Sequence, residues 1–196
     1  MKLHYGRILA DKLDGEHGIP RARLHDLIQR FPTVLAEVRS RRREGEYGFY
    51  ELGEQTQTVA AIRKFADGVG QAYDHVLVLG IGGSALGTKA LVNALRPPAW
   101  NELDDEGREF FPRITLLENV DPTSMAAALR RIDPRRVFVN VISKSGGTAE
   151  TLAQYLVVRA WLDQALGPDA AVRHLVFTTD PVKGPLREIA QREGIA

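Results

Sequence analysis

The spacing of apolar residues changes along the chain at about residue 73. Before that point apolar residues recur three or four positions apart, which is the spacing of one apolar helix face. This spacing predicts a first helix over 20–43 and a second over 57–73. Pro32 lies inside the first helix and is expected to kink or split it. We therefore predict an N-terminal helical segment over residues 1–72.

After residue 74, short apolar runs rich in β-branched residues alternate with helical stretches. The predicted strands are 76–79, 114–117, 137–142 and 175–178, and the predicted helices are 84–95, 122–131, 147–166 and 185–192. Strands that are apolar almost throughout are typical of a parallel sheet covered on both faces. The pattern predicts an α/β fold over 73–196, a parallel open sheet flanked by helices, with an acidic loop insertion over 100–112.

The alternation stops at Ala196, directly after a predicted helix and where a further strand is expected. A parallel sheet that stops there leaves its last strand as an unpaired edge, which natural domains avoid or cover. We therefore expect this domain to be incomplete at its C-terminus.

Composition narrows the class of protein. A chain of 196 residues, 44% hydrophobic and 26% charged, suits one soluble α/β domain with a helical extension. A net charge of +1 points to no nucleic-acid or membrane partner, and the lack of cysteine excludes disulfides, thiolate metal sites and a cysteine nucleophile. Residues 1–7 lack the apolar core of a signal peptide, and no apolar run approaches the roughly 18 residues that span a bilayer. We expect a cytoplasmic protein.

The first predicted strand leads into a glycine-rich turn, GIGGSALG at 80–87. Glycines let the backbone turn tightly and approach a ligand, and the start of the following helix offers N–H groups to an anion. The same letters fit a loose dinucleotide fingerprint, which is a weak signal by itself. A dinucleotide site also needs an acid about 20 residues further on, whereas Glu118 comes much later. The turn therefore favours a phosphate group other than a pyrophosphate.

The third predicted strand ends in a second turn, which contains three hydroxyl side chains, one lysine and two glycines. The hydroxyl residues are Ser143, Ser145 and Thr148. Open α/β sheets bind ligands at the carboxyl ends of their strands. A simpler interpretation is that Ser145 or Thr148 only caps the next helix, with Glu150 in its first turn. Three hydroxyls and Lys144 exceed what capping needs, so this is the stronger of the two signals.

Three motifs in this order resemble the first sugar isomerase (SIS) domain of the glucose-6-phosphate isomerase family. They are GIGGSALG at 80–87, VNVISKSGGTAET at 139–151 and VFTTDPVKGPLREIA at 176–190. The likeness covers about residues 73–194, and GEYGF at 45–49 is also similar to bacterial members. The resemblance implies a flavodoxin-like sheet and the reversible aldose–ketose isomerisation of glucose 6-phosphate and fructose 6-phosphate through an enediol.

The resemblance also implies roles for individual residues. Four hydroxyls and one lysine are expected to bind the phosphate of a sugar phosphate: Ser84, Ser143, Lys144, Ser145 and Thr148. Gly82 and Gly83 are expected to let the backbone approach the sugar. Glu150 matches a family acid near the site and is the one catalytic candidate, although its place in a first helical turn also suits a structural role. Asp180 and Lys183 match the family pattern with an expected structural role.

The family's proton-transfer groups belong to the second half of the enzyme, beyond Ala196. The resemblance therefore implies that this segment supplies the phosphate-binding half of the site and is inactive alone. No cofactor or metal is expected, and the full-length enzyme is expected to be a homodimer. Two alternatives stay open: a stand-alone SIS module that senses a phosphosugar, and a dinucleotide-binding domain.

Overall fold

The computed structural model describes residues 4–69 and 72–196, and the chain divides into two units, Met1–Ala61 and Ile62–Ala196. The first unit contains helix α1 (Arg21–Arg43) between two short 3₁₀ helices, Gly6–Ile8 and Gly48–Glu54. Helix α2 (Thr56–Val69) begins in the first unit and ends in the second. The predicted domain boundary at 72/73 stays a prediction.

Two details of the helical segment differ from the prediction. Pro32 was expected to kink or split the first helix. It lies inside an unbroken α1, so the predicted split is wrong, whereas the kink stays a prediction. The loss of one backbone hydrogen bond at a proline is therefore compatible with an uninterrupted helix here. Tyr73 was predicted to end the second helix, but it lies outside α2, and residues 70 and 71 fall outside the described part of the chain. The Tyr73 ring instead packs 5.3 Å from the Phe138 ring, and its hydroxyl donates to the Arg173 carbonyl at 3.1 Å.

The second unit is an α/β fold with a four-stranded sheet, which confirms the predicted class. Its strands are β1 (His75–Leu79), β2 (Arg113–Leu117), β3 (Val137–Ser143) and β4 (Leu175–Thr179). The order is β2-β1-β3-β4 and all three pairings are parallel. The helices are α3 (Gly83–Leu95), α4 (Pro122–Leu129), α5 (Ala149–Leu166), α6 (Pro168–Ala171) and α7 (Pro185–Glu193).

The core lies around the two central strands. Leu77, Leu79, Val137, Val139 and Val141 are fully buried on β1 and β3. Helix α5 adds a buried face with helical spacing: Thr151, Gln154, Tyr155, Val158 and Leu162. Burial of one large aliphatic side chain contributes about 1.5–3 kcal/mol. This core fixes the positions of the strand ends, where both predicted turns lie.

Both edges of the sheet are partly covered. The predicted insertion over 100–112 contains Asn101, whose side-chain amide donates to the Ile114 carbonyl at 2.7 Å and accepts from the Ile114 N–H at 2.8 Å on β2. On β4, which was expected to be an unpaired edge, the Phe177 N–H donates to the Ala196 carbonyl at 2.8 Å. That expectation is wrong at Phe177, because the residues after α7 turn back towards the strand.

Within residues 4–69 and 72–196, no helix combines the length and the apolar character needed to cross a membrane.

Candidate functional site

The two predicted turns lie at the same edge of the sheet. They follow β1 and β3, which are neighbouring parallel strands, so their carboxyl ends point the same way. The turn after β1 also packs closely on β3. A Cβ atom added at Gly80 would lie 3.2 Å from the Ser84 Cβ and 3.3 Å from the Ile142 carbonyl oxygen. The absence of a side chain at Gly80 therefore lets the first turn approach the end of β3.

A cavity of about 520 Å³ opens at this edge. Three segments contribute to its lining: Gly83 and Ser84 after β1, Lys144 after β3, and Thr178, Thr179 and Asp180 at the end of β4. Ser84 and Lys144, predicted from separate motifs, thus face one space. Within the described chain, the lining does not include Ser143, Ser145, Thr148 or Glu150. These four lie nearby in the second turn or the start of α5.

The first turn is shaped by Gly82, which precedes α3 and has a φ of 54°. Residues with a side chain rarely adopt this region, so glycine suits the position. The Ala85 N–H donates to the Gly82 carbonyl at 3.0 Å and starts the helix. Ser84 is half-buried in the first helical turn, next to Gly83. The hydroxyl therefore lies at the positive end of the α3 dipole.

The second turn joins β3 to α5 through a pair of hydroxyls. Ser143 is 1% exposed, and its Oγ lies 3.0 Å from the Thr148 Oγ1. Thr148 directly precedes α5, yet its side chain makes no capping hydrogen bond among the described residues. Capping therefore does not account for the Thr148 hydroxyl, which bonds Ser143 instead.

The middle of this turn is held by its glycines. Gly146 has a φ of 68°, and its N–H donates to the Ser143 carbonyl at 3.1 Å. The Gly147 N–H donates to the Ser145 Oγ at 3.3 Å. Because the serine oxygen accepts in that contact, its O–H stays available to a ligand. Helix α5 begins at Ala149 and not at the predicted Gly147, because Thr148 has an extended backbone with a ψ of 117°.

Two charged residues of the described chain, Lys144 and Asp180, line the cavity, whereas Glu150 does not. Lys144 and Glu150 are exposed, and Lys144 lines the cavity. Asp180 Oδ1 accepts from the N–H groups of Val182 at 2.9 Å and Lys183 at 3.1 Å. These backbone hydrogen bonds hold the pKa of Asp180 below its usual range. The Asp180 carboxylate thus orders the loop that follows β4.

The sequence did not predict that the loop between β4 and α7 contacts the second turn. The Leu186 N–H donates to the Gly146 carbonyl at 3.1 Å. Gly184 has a φ of 105°, and a Cβ atom added there would lie 2.3 Å from the Ser145 carbonyl oxygen. The third motif, at 176–190, carried the only signal for this contact. In the described part of the chain, no group of three or more acidic, histidine or cysteine side chains could hold a metal ion.

Taken together, the fold and the site define an open parallel α/β domain with a polar cavity at the carboxyl ends of its strands, the position at which such domains bind ligands. The family model described as phosphoglucose isomerase matches residues 52–184. This chain belongs to the phosphoglucose isomerase family.

Individual relatives agree with that assignment. The glucose-6-phosphate isomerase of Carboxydothermus hydrogenoformans is 37% identical over 196 residues, which cover 100% of this chain and 42% of that protein. A glucose-6-phosphate isomerase of Thermus thermophilus is 41% identical over 184 residues, covering 91% and 40%. A crystal structure of a hypothetical protein from Thermus thermophilus matches with a TM-score of 0.67 and 39% identity, covering 87% of this chain and 39% of that one. The chain spans about two fifths of the length of the curated relatives it matches.

Proposed function

We propose that this chain supplies the phosphate-binding part of the active site of a glucose-6-phosphate isomerase, which interconverts glucose 6-phosphate and fructose 6-phosphate through an enediol. The observation that carries the proposal is that Ser84 and Lys144, from two separate motifs, line one cavity at the carboxyl ends of β1 and β3. Relatives named as this isomerase match across the whole segment, which favours an enzyme over a stand-alone sensing module.

Several donors are needed to bind the phosphate. The dipole of one helix contributes at most about 2 kcal/mol, whereas even millimolar affinity requires about 4 kcal/mol. Hydrogen bonds to a charged group contribute about 1.5–3 kcal/mol each. In this proposal Ser84 and Ser145 donate hydroxyl hydrogens to the phosphate oxygens. Lys144 contributes its charge and its backbone N–H.

The Ser143 and Thr148 hydroxyls act as a pair. One of the two donates to the other across 3.0 Å, so one hydroxyl hydrogen remains for the phosphate. Burial of Ser143 keeps that pair in a fixed orientation. A donor that is already oriented loses less conformational entropy when it binds a ligand.

The remaining predicted residues have supporting roles. Gly82 and Gly83 let the backbone approach the sugar, consistent with the positive φ of Gly82. Glu150 lies exposed in the first turn of α5, where a negative charge is favourable. We assign Glu150 this structural role and not that of the proton-transfer base.

Five further points belong to the proposal. Proton transfer is carried out by groups outside this segment, so the 196-residue chain alone binds the sugar phosphate without isomerising it. The protein uses no cofactor, and it acts in the cytoplasm. The full-length enzyme is a homodimer. The near-neutral charge of the chain supports a sugar phosphate, and not a nucleic acid, as its partner.

Calorimetric titration of the 196-residue chain tests the proposal. We expect glucose 6-phosphate to bind, and glucose and NAD to show no binding. Ser84→Ala should weaken the affinity about tenfold, the effect of losing one charge-assisted hydrogen bond. Ser124→Ala is the matched control, because Ser124 also lies in the first turn of a helix, α4. Equal affinities for Ser84→Ala and the unchanged chain would contradict the proposal, and tight NAD binding would favour the dinucleotide alternative.

A further inference from the structure

One buried hydroxyl beside the cavity has no hydrogen-bond partner among the described residues. Thr179 is the last residue of β4 and pairs in register with Ser143 on β3. Its Oγ1 is shielded from solvent and makes no hydrogen bond within residues 4–69 and 72–196. Buried polar groups in folded proteins are nearly always paired, so an exception needs an explanation. The residue contributes to the cavity lining together with Ser84 and Lys144.

The Thr179 hydroxyl lies next to Gly146 in the second turn. A Cβ atom added at Gly146 would lie 2.9 Å from the Thr179 Oγ1. The threonine hydroxyl therefore occupies the space that a side chain at Gly146 would fill, directly against the backbone of the turn. The turn is also held by the loop between β4 and α7, because the Leu186 N–H donates to the Gly146 carbonyl. Thr179 is thus in a position to respond to any change in the conformation of this turn.

We propose that Thr179 is a positioning residue for phosphate binding. When the Ser143–Thr148 turn closes on a phosphate group, the Thr179 hydroxyl donates to a backbone carbonyl of that turn and stabilises the bound conformation. This inference rests on the proposed function. A buried hydroxyl without a hydrogen-bond partner raises the free energy of the ligand-free state. When the Thr179 hydroxyl gains a partner in the bound state, the new hydrogen bond contributes to affinity.

A pair of variants separates this role from a purely structural one. Thr179→Val keeps the shape of the side chain but removes the hydroxyl, whereas Thr179→Ser keeps the hydroxyl. The chain is titrated with glucose 6-phosphate and, separately, with inorganic phosphate. We expect Thr179→Val to weaken both affinities about fivefold and Thr179→Ser to change them by less than about twofold. Thermal unfolding without ligand should show no loss of stability in Thr179→Val, because the hydroxyl has no partner in that state.

Two further variants complete the test. Thr115→Val, on β2, is the control for a threonine-to-valine change within a strand, and its affinity should be that of the unchanged chain. Thr179→Ala provides a second hydroxyl-free variant if Thr179→Val does not fold.

The outcomes separate this inference from the proposed function. Unchanged affinity in both Thr179→Val and Thr179→Ala would overturn the positioning role while leaving the phosphate site intact. Equal losses in Thr179→Val and Thr179→Ser would also overturn it, since the hydroxyl would then not be the cause. If the unchanged chain binds neither glucose 6-phosphate nor inorganic phosphate, the proposed function fails and this inference fails with it.

Discussion

The hydroxyl groups of Ser143 and Thr148 lie 3.0 Å apart and link the last residue of β3 to the residue that precedes α5. Each hydroxyl depends on the other for its orientation, because one donates and one accepts. The pair therefore behaves as one polar group placed at the carboxyl end of β3.

This dependence predicts that the two hydroxyls contribute to phosphate binding as a unit. Ser143→Ala and Thr148→Ala should each weaken glucose 6-phosphate binding about tenfold. The double variant should bind little more weakly than either single variant, because removal of one hydroxyl already disorders the other. Calorimetric titration of all four proteins completes the cycle. Strictly additive losses would show that the hydroxyls act independently.

Gly184 should be needed for both stability and binding. Gly184→Ala introduces a side chain at a φ of 105° and 2.3 Å from the Ser145 carbonyl oxygen. We expect the free energy of unfolding to fall by about 1–3 kcal/mol. Sugar-phosphate affinity should also fall, because the new Cβ atom displaces the second turn. Urea denaturation and titration measure the two effects.

Gly167→Ala is the matched control for this change. Gly167 has a φ of 79°, but no atom lies within 4 Å of the added Cβ position in the described chain. It should lose stability from backbone strain alone and keep its affinity. If Gly184→Ala kept the affinity of the unchanged chain, the β4–α7 loop would have no part in shaping the site.

Asn101 should protect the outer edge of the sheet. Its side-chain amide makes two hydrogen bonds to the backbone of Ile114 on β2. Asn101→Ala should lower the free energy of unfolding by about 1–2 kcal/mol and promote self-association through the exposed edge. Denaturation and light scattering measure these effects. Asn93→Ala, at an exposed position on α3, should leave both unchanged; equal behaviour of the two variants would rule out the edge role of Asn101.

His75 should make the stability depend on pH. Burial, with a smaller contribution from Arg113, lowers the pKa of His75 from 6.5 to about 4, and its Nε2 lies 2.8 Å from the Thr115 Oγ1. The folded state keeps the imidazole neutral, whereas the unfolded state takes up a proton below its ordinary pKa. The contribution of His75 to stability is therefore fully present above about pH 6.5 and is lost as the pH falls towards 4.

Urea denaturation between about pH 7 and pH 4 measures this dependence. His75→Gln should flatten the decline in the free energy of unfolding over that range. Thr115→Val keeps the buried imidazole and should retain the decline. An identical pH dependence in His75→Gln and the unchanged chain would mean that another group causes it.

The sequence predicted the strands of the sheet well because the pattern that marks each strand lies within the strand itself. Each of the four strands is an apolar run that differs from its prediction by one residue at an end, and helix starts follow glycine or proline signals such as Pro122 and Pro185. The observed order β2-β1-β3-β4 agrees with the flavodoxin-like sheet that the family resemblance implied. The covered edges were not predicted, because the Asn101–Ile114 and Phe177–Ala196 contacts join residues distant in the sequence.

The two turns of the candidate site could be predicted because their signals are also local. Both turns carry their own glycine and hydroxyl signals, so Ser84 and Lys144 could be selected before the fold was known. The contacts of Thr179 and Gly184 with the second turn depend on the register of β4 against β3, which no local pattern encodes. Similarly, only the three-dimensional structure shows that the Thr148 hydroxyl pairs with Ser143 and does not cap α5.

In the proposed function, the turns after β1 and β3 bind one phosphate group together. Titration of the ¹⁵N-labelled 196-residue chain with glucose 6-phosphate, followed by the amide NMR signals, tests this directly. We predict that signals of residues 82–84 and 143–148 shift along one binding curve, and that glucose leaves both turns unchanged. Shifts confined to one turn, or two turns that follow different binding curves, would contradict joint binding of one phosphate group by the two turns.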